Sequence, residues 1–352
     1  MKTYKHSFFP GPTSVYENVL KEGLINFGSA DTEPEFLTLY NRCVQNLQKL
    51  FSTKSDVVIM TGEGMLVLWS GLKSCLRSGD KVLAISTGMF GTGIGQMAET
   101  IGCEVKTIEF PSDCSFEDYD LIEKTIAEFK PKMITAVHCE TPSGILNDLS
   151  VLGQLKKSYN IPLLYVDAVS SFGACHVDAD KHNIDLCLGG SQKAMSAPPN
   201  SCFMTVSDTA WEIIEDIKYQ GYDALLPFKN VKETGYFPYT HSWVNIAQLL
   251  KATENIFEEG FENVIKRHKD CSEKVIQMLK DAGIKLFPRD AKYSSPTVTA
   301  AYVPEGYTWE QYDKMMREKG IVFGGNYADL AGKVFRIGHM GIQAKLDNLC
   351  FF

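Results

Sequence analysis

The sequence lacks a long apolar run and a dense block of lysine or arginine. A helix that spans a membrane needs roughly 20 apolar residues, and no such run occurs among the 352 residues. The start, MKTYKHSFFPGP, carries two lysines but lacks the apolar stretch that follows them in a secretory signal. The formal net charge of −8 offers little attraction to a nucleic-acid backbone. We therefore expect a cytoplasmic protein without membrane or nucleic-acid partners.

Paired cysteines are also absent. The ten cysteines are scattered singly from Cys43 to Cys350 in apolar surroundings, and no CxxC pair occurs. We therefore expect reduced, mostly buried thiols rather than a disulfide framework. His138, Cys139 and Glu140 are potential metal ligands, but neighbouring residues on a strand point to opposite faces. No metal site is expected there.

The pattern of apolar segments predicts an α/β fold. Hydrophobic residues make up 44% of the chain and charged residues 22%, a balance typical of a globular protein. The length of 352 residues exceeds the roughly 250 to 300 that one core supports. Between residues 55 and 205, short apolar segments alternate with helical ones, which predicts βαβ units and a mostly parallel sheet. The predicted strands are VVIMTG, KVLAIST, KMITAVH and IPLLYVD.

The pattern of the C-terminal part is typical of a smaller α/β domain. We predict a long amphipathic helix around residues 243–280, then a strand at PTVTAAYV, a helix around 308–319, and strands at GIVFGG and KVFRIG. The chain is therefore divided into a large domain over residues 15–244 and a small domain over residues 245–352.

Lys193 is the first candidate for chemistry. Ligands of parallel sheets bind beyond the carboxyl ends of the strands, and Lys193 follows the apolar segment IDLCL and three small residues. The small neighbours leave room for a ligand beside the ammonium group. A lysine that is partly desolvated becomes a nucleophile able to form a Schiff base. The alternative is a surface lysine in a turn.

Asp167 is the second candidate, because it ends the strongly apolar run IPLLYV, where an unpaired carboxylate is costly to bury. It therefore needs a cationic partner. A protonated pyridine nitrogen of pyridoxal phosphate is such a partner, and the contact keeps the ring an electron sink. The alternative is a structural role in which Asp167 binds loop amides.

Three further segments carry groups suited to the same ligand. TGEGM follows a strand and begins a helix, so its amides, helped by the freedom of Gly62 and Gly64, form a phosphate cradle. Phe90, in STGMFG, offers an aromatic face for a planar ring. Arg336, in KVFRIG, offers a planar fork of donors for a carboxylate. A structural turn, core packing and a local ion pair are the respective alternatives.

Together, and in this order, these segments resemble the fold-type I, class V aminotransferases, especially the alanine–glyoxylate and serine–pyruvate aminotransferases. The motifs that carry the resemblance span nearly the whole chain: FFPGPT, TGEGM, TGMFG, HCETPSG, VDAVSSFG, GGSQKAMSAPP, YTHS, SPTVTA and GKVFRIGHMG. The most specific are VDAVSSFG and SQKAMSAPP, with 26 residues separating Asp167 from Lys193. The resemblance implies a three-layer large domain with a mostly parallel sheet, a smaller C-terminal domain, and pyridoxal 5′-phosphate as cofactor.

The resemblance also implies a role for each candidate residue. Lys193 would be the Schiff-base lysine and proton shuttle, and Asp167 would bind the pyridine nitrogen. The other implied residues contact the cofactor or the substrate: Val169 and Phe90 on the two faces of the ring, Gln192 with the amides of Gly64 and Met65 at the phosphate, and Arg336 at the substrate carboxylate.

A second subunit is implied as well. In the family, a segment matching YFPYTHS completes the phosphate site of the neighbouring subunit, and Thr240 is its best-aligned contact. A homodimer is therefore implied, and the N-terminal arm, residues 1–14, is expected to pack on the dimer or on the small domain. The implied reaction moves an amino group from alanine or serine to glyoxylate or pyruvate, with ping-pong kinetics.

The sequence departs from the family pattern at several positions. Asn200 replaces a glycine after the APP turn; because asparagine tolerates a positive φ, we expect the turn to survive. Pro142 replaces a serine in HCETPSG, so the hydroxyl contact near the ring must come from Thr141 or Ser143, or be absent.

Two further departures concern the phosphate site and the C-terminus. Phe237 stands where the family has a tyrosine, and the flanking Tyr236 and Tyr239 leave one phosphate contact unassigned. The sequence ends at Phe352, where relatives continue through a final helix. Either a trimmed small domain or a truncated chain is therefore expected.

Parts of the sequence are also compatible with three other functions. The 2-aminoethylphosphonate–pyruvate aminotransferases share motifs similar to HCETPSGILN, VDAVSSFG and FRIG, but SQKAMSAPP favours the alanine–glyoxylate group. A cysteine desulfurase needs a histidine where Phe90 stands and a nucleophilic cysteine in the loop around residues 320–329, which has none. A non-catalytic phosphate-binding module that uses TGEGM would be colourless and would not need Lys193.

Overall fold

The computed structural model describes residues 4–349. The strands are β1 (His6–Phe8), β2 (Asp56–Thr61), β3 (Lys81–Ser86), β4 (Glu104–Glu109), β5 (Met133–Val137), β6 (Cys139–Glu140), β7 (Ile145–Leu146), β8 (Leu163–Asp167), β9 (Leu186–Gly190), β10 (Ser201–Val206), β11 (Val298–Tyr302), β12 (Ile321–Phe323) and β13 (Val334–Gly338). The helices are α1 (Glu17–Glu22), α2 (Pro34–Phe51), α3 (Gly64–Cys75), α4 (Met89–Thr100), α5 (Tyr119–Phe129), α6 (Ser150–Ser158), α7 (Asp208–Ile217), α8 (Val231–Thr234), α9 (Trp243–Glu259), α10 (Phe261–Asp281) and α11 (Trp309–Glu318).

Seven strands form the central sheet, in the order β2, β10, β9, β8, β5, β3 and β4. Strand β10 runs antiparallel to both of its neighbours, and the other pairs are parallel. The predicted α/β fold with a mostly parallel sheet is therefore confirmed. Because β2, β9, β8, β5 and β3 point the same way, the turns that follow them meet at one edge of the sheet.

Two elements of this region, β4 and α5, are not among the predicted ones, because they lack a clear apolar pattern. Strand β4 is the edge of the sheet and exposes four of its six residues, EVKTIE. An edge strand faces solvent and tolerates charge, so it contains no apolar run to detect. The amphipathic helix α5 buries only three side chains, those of Ile122, Thr125 and Ile126.

The long helix predicted around residues 243–280 is wrong in one respect, because the structure contains two helices. Gly260 separates α9 from α10 with φ 89° and ψ 123°, a backbone conformation that favours glycine. Helix α9 buries Ile246 and Leu249 in the core of the central sheet. Helix α10 buries Cys271 and Val275 in a second core. The division of the chain at residues 244 and 245 stays a prediction.

The second core lies around the short sheets of the C-terminal part. Strands β11 and β13 pair antiparallel, and β12 pairs in parallel with β1 of the N-terminal arm. Phe8 of the arm is buried in this core beside Phe323. The arm then runs past Gly338 to the turn after β9, where the Thr13 amide donates to the Gln192 carbonyl at 3.0 Å. One short segment therefore connects the second core with the edge of the central sheet.

The nine cysteines between Cys43 and Cys271 are unpaired and buried, as expected, and Cys350 lies outside the described residues. None of the helices within residues 4–349 combines the length and the apolar character needed to cross a membrane.

A methyl group added at Gly338 is expected to displace the arm. Its carbon would stand 2.5 Å from the Pro10 Cα, and backbone cannot yield as a side chain does. We expect Gly338→Ala to lower the free energy of unfolding by about 1–3 kcal/mol and to expose the arm to proteolysis. Denaturant unfolding and limited proteolysis measure these effects.

Gly93→Ala is the matched control, because a Cβ at this position in α4 meets nothing within 4 Å. Alanine favours a helix over glycine, so we expect unchanged stability or a gain of up to about 1 kcal/mol. Equal losses in the two variants would contradict close packing of the arm on Gly338.

Candidate active site

The turns after five parallel strands of the sheet open onto one cavity of about 280 Å³. The cavity is lined by backbone and side chains from these turns and from the N-terminal arm: Gly11, Pro12, Glu63, Gly64, Met65, Leu68, Phe90, Cys139, Thr141, Asp167, Val169, Ser170, Gln192, Lys193 and Pro199. Eight of the sequence-predicted site residues are thus brought together, although they are spread over 130 positions of the chain, from Gly64 to Lys193.

Lys193 lies at the base of this cavity, in the turn that follows β9. Its Nζ donates a hydrogen bond to the Pro10 carbonyl at 2.6 Å. Gly11, with φ 102°, packs so closely that a Cβ there would stand 2.5 Å from the Lys193 Cδ. Burial, followed by the charge of Arg336, lowers the pKa of Lys193 to about 8. A considerable fraction of this amine is therefore neutral and nucleophilic near physiological pH.

Asp167 ends β8 and is only 6% exposed. Its Oδ1 accepts a hydrogen bond from the Val169 amide at 2.8 Å. Burial raises the pKa of Asp167 to about 6, although the Val169 hydrogen bond and the charge of Lys193 act in the opposite direction. One amide does not compensate a buried carboxylate, so this side chain favours a cationic ligand in the cavity.

Phe90 lies in the first turn of α4, and a residue that the sequence reasoning did not select holds it there. Glu140 is fully buried, and its carboxylate accepts hydrogen bonds from the Gly91 amide at 2.7 Å and the Phe90 amide at 3.3 Å. Burial raises the pKa of Glu140 to about 7. Its position three residues beyond the end of β5 was the available signal, because the end of an apolar strand also indicated Asp167.

The start of α3 forms the other end of the cavity. A Cβ on Gly64 would stand 3.1 Å from Val169 Cγ2, so glycine permits this close approach. The Met65 amide is bound by the Glu63 carboxylate at 3.2 Å. Gln192 is buried, and its Oε1 has no hydrogen-bond partner among residues 4–349. Gly62 lies outside the cavity lining, where its amide donates to the Asn200 carbonyl at 3.0 Å.

The hydroxyl groups near Pro142 separate into two environments. Thr141 lines the cavity, and its Oγ1 shares a short hydrogen bond with Ser170 Oγ. Ser143 instead lines a neighbouring cavity with Pro142. Of the two alternatives that the sequence left open, Thr141 is the one that the structure places beside Asp167 and Lys193.

Thr240 is not brought to the cavity of its own chain. It lines a small separate cavity with Tyr222 and Tyr239. Phe237 is buried against Phe36, whereas Tyr236 is 76% exposed. A contact from Thr240 to a second subunit stays a prediction.

Arg336 lies in β13 beside the cavity and is 4% exposed. Its Nε donates to the Gly325 carbonyl at 2.7 Å, and its guanidinium lies 4.6 Å from the ring centroid of Tyr327. No aspartate or glutamate within residues 4–349 forms an ion pair with it, which argues against the structural alternative. The Asn326 side chain joins this loop to the Pro142 carbonyl at 2.8 Å.

The turn after Lys193 differs from the expectation for Asn200. The positive φ of this turn falls on Ser196, at 50°, and not on Asn200. The Asn200 side chain donates to Asn245 and Gln248 in α9, at 3.0 and 2.9 Å. Asparagine therefore serves here through its hydrogen bonds rather than through its tolerance of a positive φ.

Comparison with known proteins agrees with this arrangement. Residues 16–325 match the family described as Aminotransferase class-V. The chain is 35% identical to an uncharacterized aminotransferase of Methanocaldococcus jannaschii, over 97% of this chain and 89% of that protein. It is 30% identical to the serine–glyoxylate aminotransferase of Methylorubrum extorquens, over 98% and 88%. The alanine–glyoxylate aminotransferase of a Nostoc species superimposes with a TM-score of 0.93 at 25% identity, over 99% of this chain and 93% of that one. The similarity is therefore not confined to one of the two cores.

Replacing Asp167 with asparagine is expected to stabilise the ligand-free protein above pH 6. The folded pKa of about 6 exceeds the ordinary value of about 3.9, so the folded state holds this proton more tightly than the unfolded chain. Stability from this group is therefore present at low pH and lost as pH rises through about 6. We expect the unfolding free energy of Asp167→Asn to exceed that of the wild type by about 2–3 kcal/mol at pH 8 and by about half as much at pH 5.

Asp148→Asn is the matched control for urea unfolding at the two pH values. Asp148 also accepts from the amide two residues on, Ser150, at 2.9 Å, but its side chain is exposed. We expect its effect to stay within about 0.5 kcal/mol at both pH values. A pH-independent difference between Asp167→Asn and the wild type would contradict the raised pKa.

Proposed function

The chain belongs to the class V aminotransferase family, and we propose that it transfers the amino group of alanine or serine to glyoxylate or pyruvate. The fold is that of fold-type I enzymes, and the family is pyridoxal-phosphate-dependent. The observation that carries the proposal is the buried guanidinium of Arg336, which forms no ion pair with a carboxylate within residues 4–349 and lies near a lysine whose pKa is about 8. Relatives named serine–glyoxylate and alanine–glyoxylate aminotransferase support this choice of substrates.

The cavity residues fit pyridoxal phosphate. Asp167 is a buried carboxylate with a raised pKa that a pyridinium nitrogen would compensate. Val169 and Phe90 line the walls available to a flat ring, and the buried Oε1 of Gln192 has no hydrogen-bond partner in the part of the chain that the structure describes. Gly64 and Met65 begin α3, where helix amides favour a phosphate. We therefore assign Thr141 and these residues to cofactor binding and Lys193 to its covalent attachment.

Pyridoxal phosphate supplies an aldehyde and, when its nitrogen is protonated, a ring that draws electrons from the substrate carbon. Lys193 supplies the proton transfer, because its Nζ holds a proton below pH 8 and releases it above. Asp167 keeps its charge in place through the Val169 amide, so that it favours a cation at the ring nitrogen. Both roles require little water in the cavity, which the arm at Gly11 and Pro12 covers.

Arg336 is the residue proposed to bind the substrate carboxylate. Its Nε is already held by the Gly325 carbonyl, which fixes the guanidinium plane and leaves its outer donors for a ligand. A planar fork of donors suits a carboxylate in a bidentate arrangement. Tyr327 lies over the guanidinium and is half-exposed, so it forms the outer wall of the substrate position.

We further propose that the functional unit is a homodimer in the cytoplasm. Thr240 and the exposed Tyr236 lie on the segment YFPYTHS, away from the cavity of their own chain. A second subunit would use this segment to complete the phosphate site. The exposed ring of Tyr236 and the polar group of Thr240 support that arrangement.

The covalent role of Lys193 is tested by borohydride reduction. We expect a yellow protein that loses its near-visible absorbance on reduction and gains a pyridoxyl group on Lys193, identified by mass spectrometry. Lys193→Ala should carry no such adduct and should lose transaminase activity by about 10³-fold or more. Lys157→Ala, at an exposed lysine, is the control and should behave as the wild type. A colourless wild-type protein that takes up no added cofactor would refute the proposal.

The substrate class is tested with a panel of donors and acceptors. We expect alanine or serine to transfer to glyoxylate or pyruvate, with kcat/KM at least about 10-fold above that of 2-aminoethylphosphonate, which has no α-carboxylate to meet Arg336. Strong turnover of aminoethylphosphonate and none of alanine or serine would overturn the proposal in favour of an aminoethylphosphonate–pyruvate aminotransferase.

Arg336→Lys separates the carboxylate contact from the rest of the site in the same panel. Lysine keeps the charge but loses the planar fork, so kcat/KM for alanine should fall by about 10- to 100-fold. Turnover of any donor without an α-carboxylate should change less. An equal fall for both kinds of donor would indicate that Arg336 does not read the carboxylate.

A further inference from the structure

The start of α3 carries a negative charge where the cofactor phosphate is expected. Glu63 is the N-cap of this helix, and its carboxylate accepts from the Met65 amide at 3.2 Å. That amide is one of the two assigned to the phosphate. The Glu63 carboxylate and the phosphate are both anions, and anions bind to the free amides at the start of a helix. The carboxylate and the phosphate therefore compete for the same donor.

The charges around the cavity do not offset this competition. Of the residues that line it, Glu63 and Asp167 are acidic, and Lys193 is the basic one. Lys193 is assigned to the covalent bond, and Arg336 to the substrate. Burial has the largest effect on the pKa of Lys193 and lowers it, and the charge of Glu63 acts in the opposite direction, which places Glu63 within electrostatic range of the Lys193 amine. A phosphate entering here adds nearly two negative charges beside Glu63.

The cavity lining also carries a buried acceptor atom, Oε1 of Gln192. Gln192 is 7% exposed, and its Oε1 has no hydrogen-bond donor within residues 4–349. The Glu63 carboxylate only accepts hydrogen bonds, and a phosphate dianion brings only acceptors, whereas the Gln192 amide offers N–H donors beside its free acceptor. A hydroxyl group at the same place would donate to either acceptor. The Glu63 carboxylate at the start of α3 thus matches a hydroxyl group better than it matches a phosphate.

We propose that Glu63 is a specificity-determining residue that weakens the preference of this enzyme for pyridoxal phosphate over unphosphorylated pyridoxal. The carboxylate holds the Met65 amide until the phosphate displaces it, and the displaced carboxylate remains close to the phosphate charge. Pyridoxal has a hydroxyl group in place of the phosphate and meets no such repulsion. This inference rests on the proposed function, because it takes the cofactor to lie in this cavity with its phosphate at α3.

Binding of the two ligands to cofactor-free protein tests the proposal. Dissociation constants for pyridoxal phosphate and for pyridoxal are measured by absorbance titration at one pH and salt concentration, in the wild type and in Glu63→Gln. Glutamine keeps an acceptor for the Met65 amide and removes the charge. We expect Glu63→Gln to bind pyridoxal phosphate at least about 10-fold more tightly and to change the constant for pyridoxal by less than about 2-fold.

Asp118→Asn is the matched control, because Asp118 also caps a helix, α5, by accepting from the Leu121 amide at 2.9 Å, but it does not line the cavity. It should leave both dissociation constants unchanged, and melting temperatures of both variants check that the caps survive. If Glu63→Gln leaves the ratio of the two constants unchanged, the role of Glu63 is refuted. If neither ligand forms a borohydride-stable adduct on wild-type Lys193, the proposed function itself fails, and the two failures are thereby distinguished.

Discussion

Burial of the Lys193 amine at the edge of the sheet is the interaction on which the rest of the site depends. A buried ammonium group is unfavourable unless other groups accept its hydrogens or share its charge. Here the Pro10 carbonyl accepts one hydrogen at 2.6 Å, and Asp167 contributes an opposite charge. Burial and the charge of Arg336 outweigh these two contacts and lower the pKa of Lys193 to about 8. Near neutral pH, the Lys193 amine is therefore present in both its protonated and its neutral, nucleophilic form.

The N-terminal arm couples this lysine to the second core. Phe8 is buried among the side chains of that core, and Pro10 contacts Lys193 two residues later. Thr13 then binds the Lys193 carbonyl through its hydroxyl at 2.9 Å. The Gln343 side chain holds the Phe9 carbonyl at 2.9 Å from the other side. The same few contacts therefore hold the N-terminal arm in place and position the Lys193 side chain.

Three carboxylates around the cavity differ in their surroundings, and so in what they do. Asp167 is buried with one amide donor and favours a cation. Glu140 is buried with two amide donors, so it holds the start of α4 and Phe90 in place. Glu63 is exposed and caps α3, where it opposes another anion. In the proposed site, Asp167 would bind the ring and Glu63 would oppose the phosphate, whereas Glu140 supports the cavity wall at Phe90.

The sequence by itself determined the fold class and most of the residues at the cavity. Apolar runs report buried strands because the interior of a parallel sheet excludes polar side chains, so Asp167 and Lys193 were visible as exceptions that follow such runs. The exposed edge strand β4 and the break at Gly260 were not visible, because solvent-facing strands lack that pattern and a single glycine does not end every helix.

Only the tertiary structure decided which polar residues act together. The Pro10 carbonyl reaches Lys193 from 183 positions away, and the Glu140 contacts to α4 bridge 50 and 49 positions. Neither contact leaves a local pattern in the sequence. Every residue has a backbone carbonyl, so nothing distinguishes Pro10. The hydrogen-bond donors that show Glu140 to be a buried, bonded carboxylate are far away in the chain. The sequence also left open whether Thr141 or Ser143 faces the cavity. Folding separates these two neighbours into different cavities, since the chain turns at Pro142 between them.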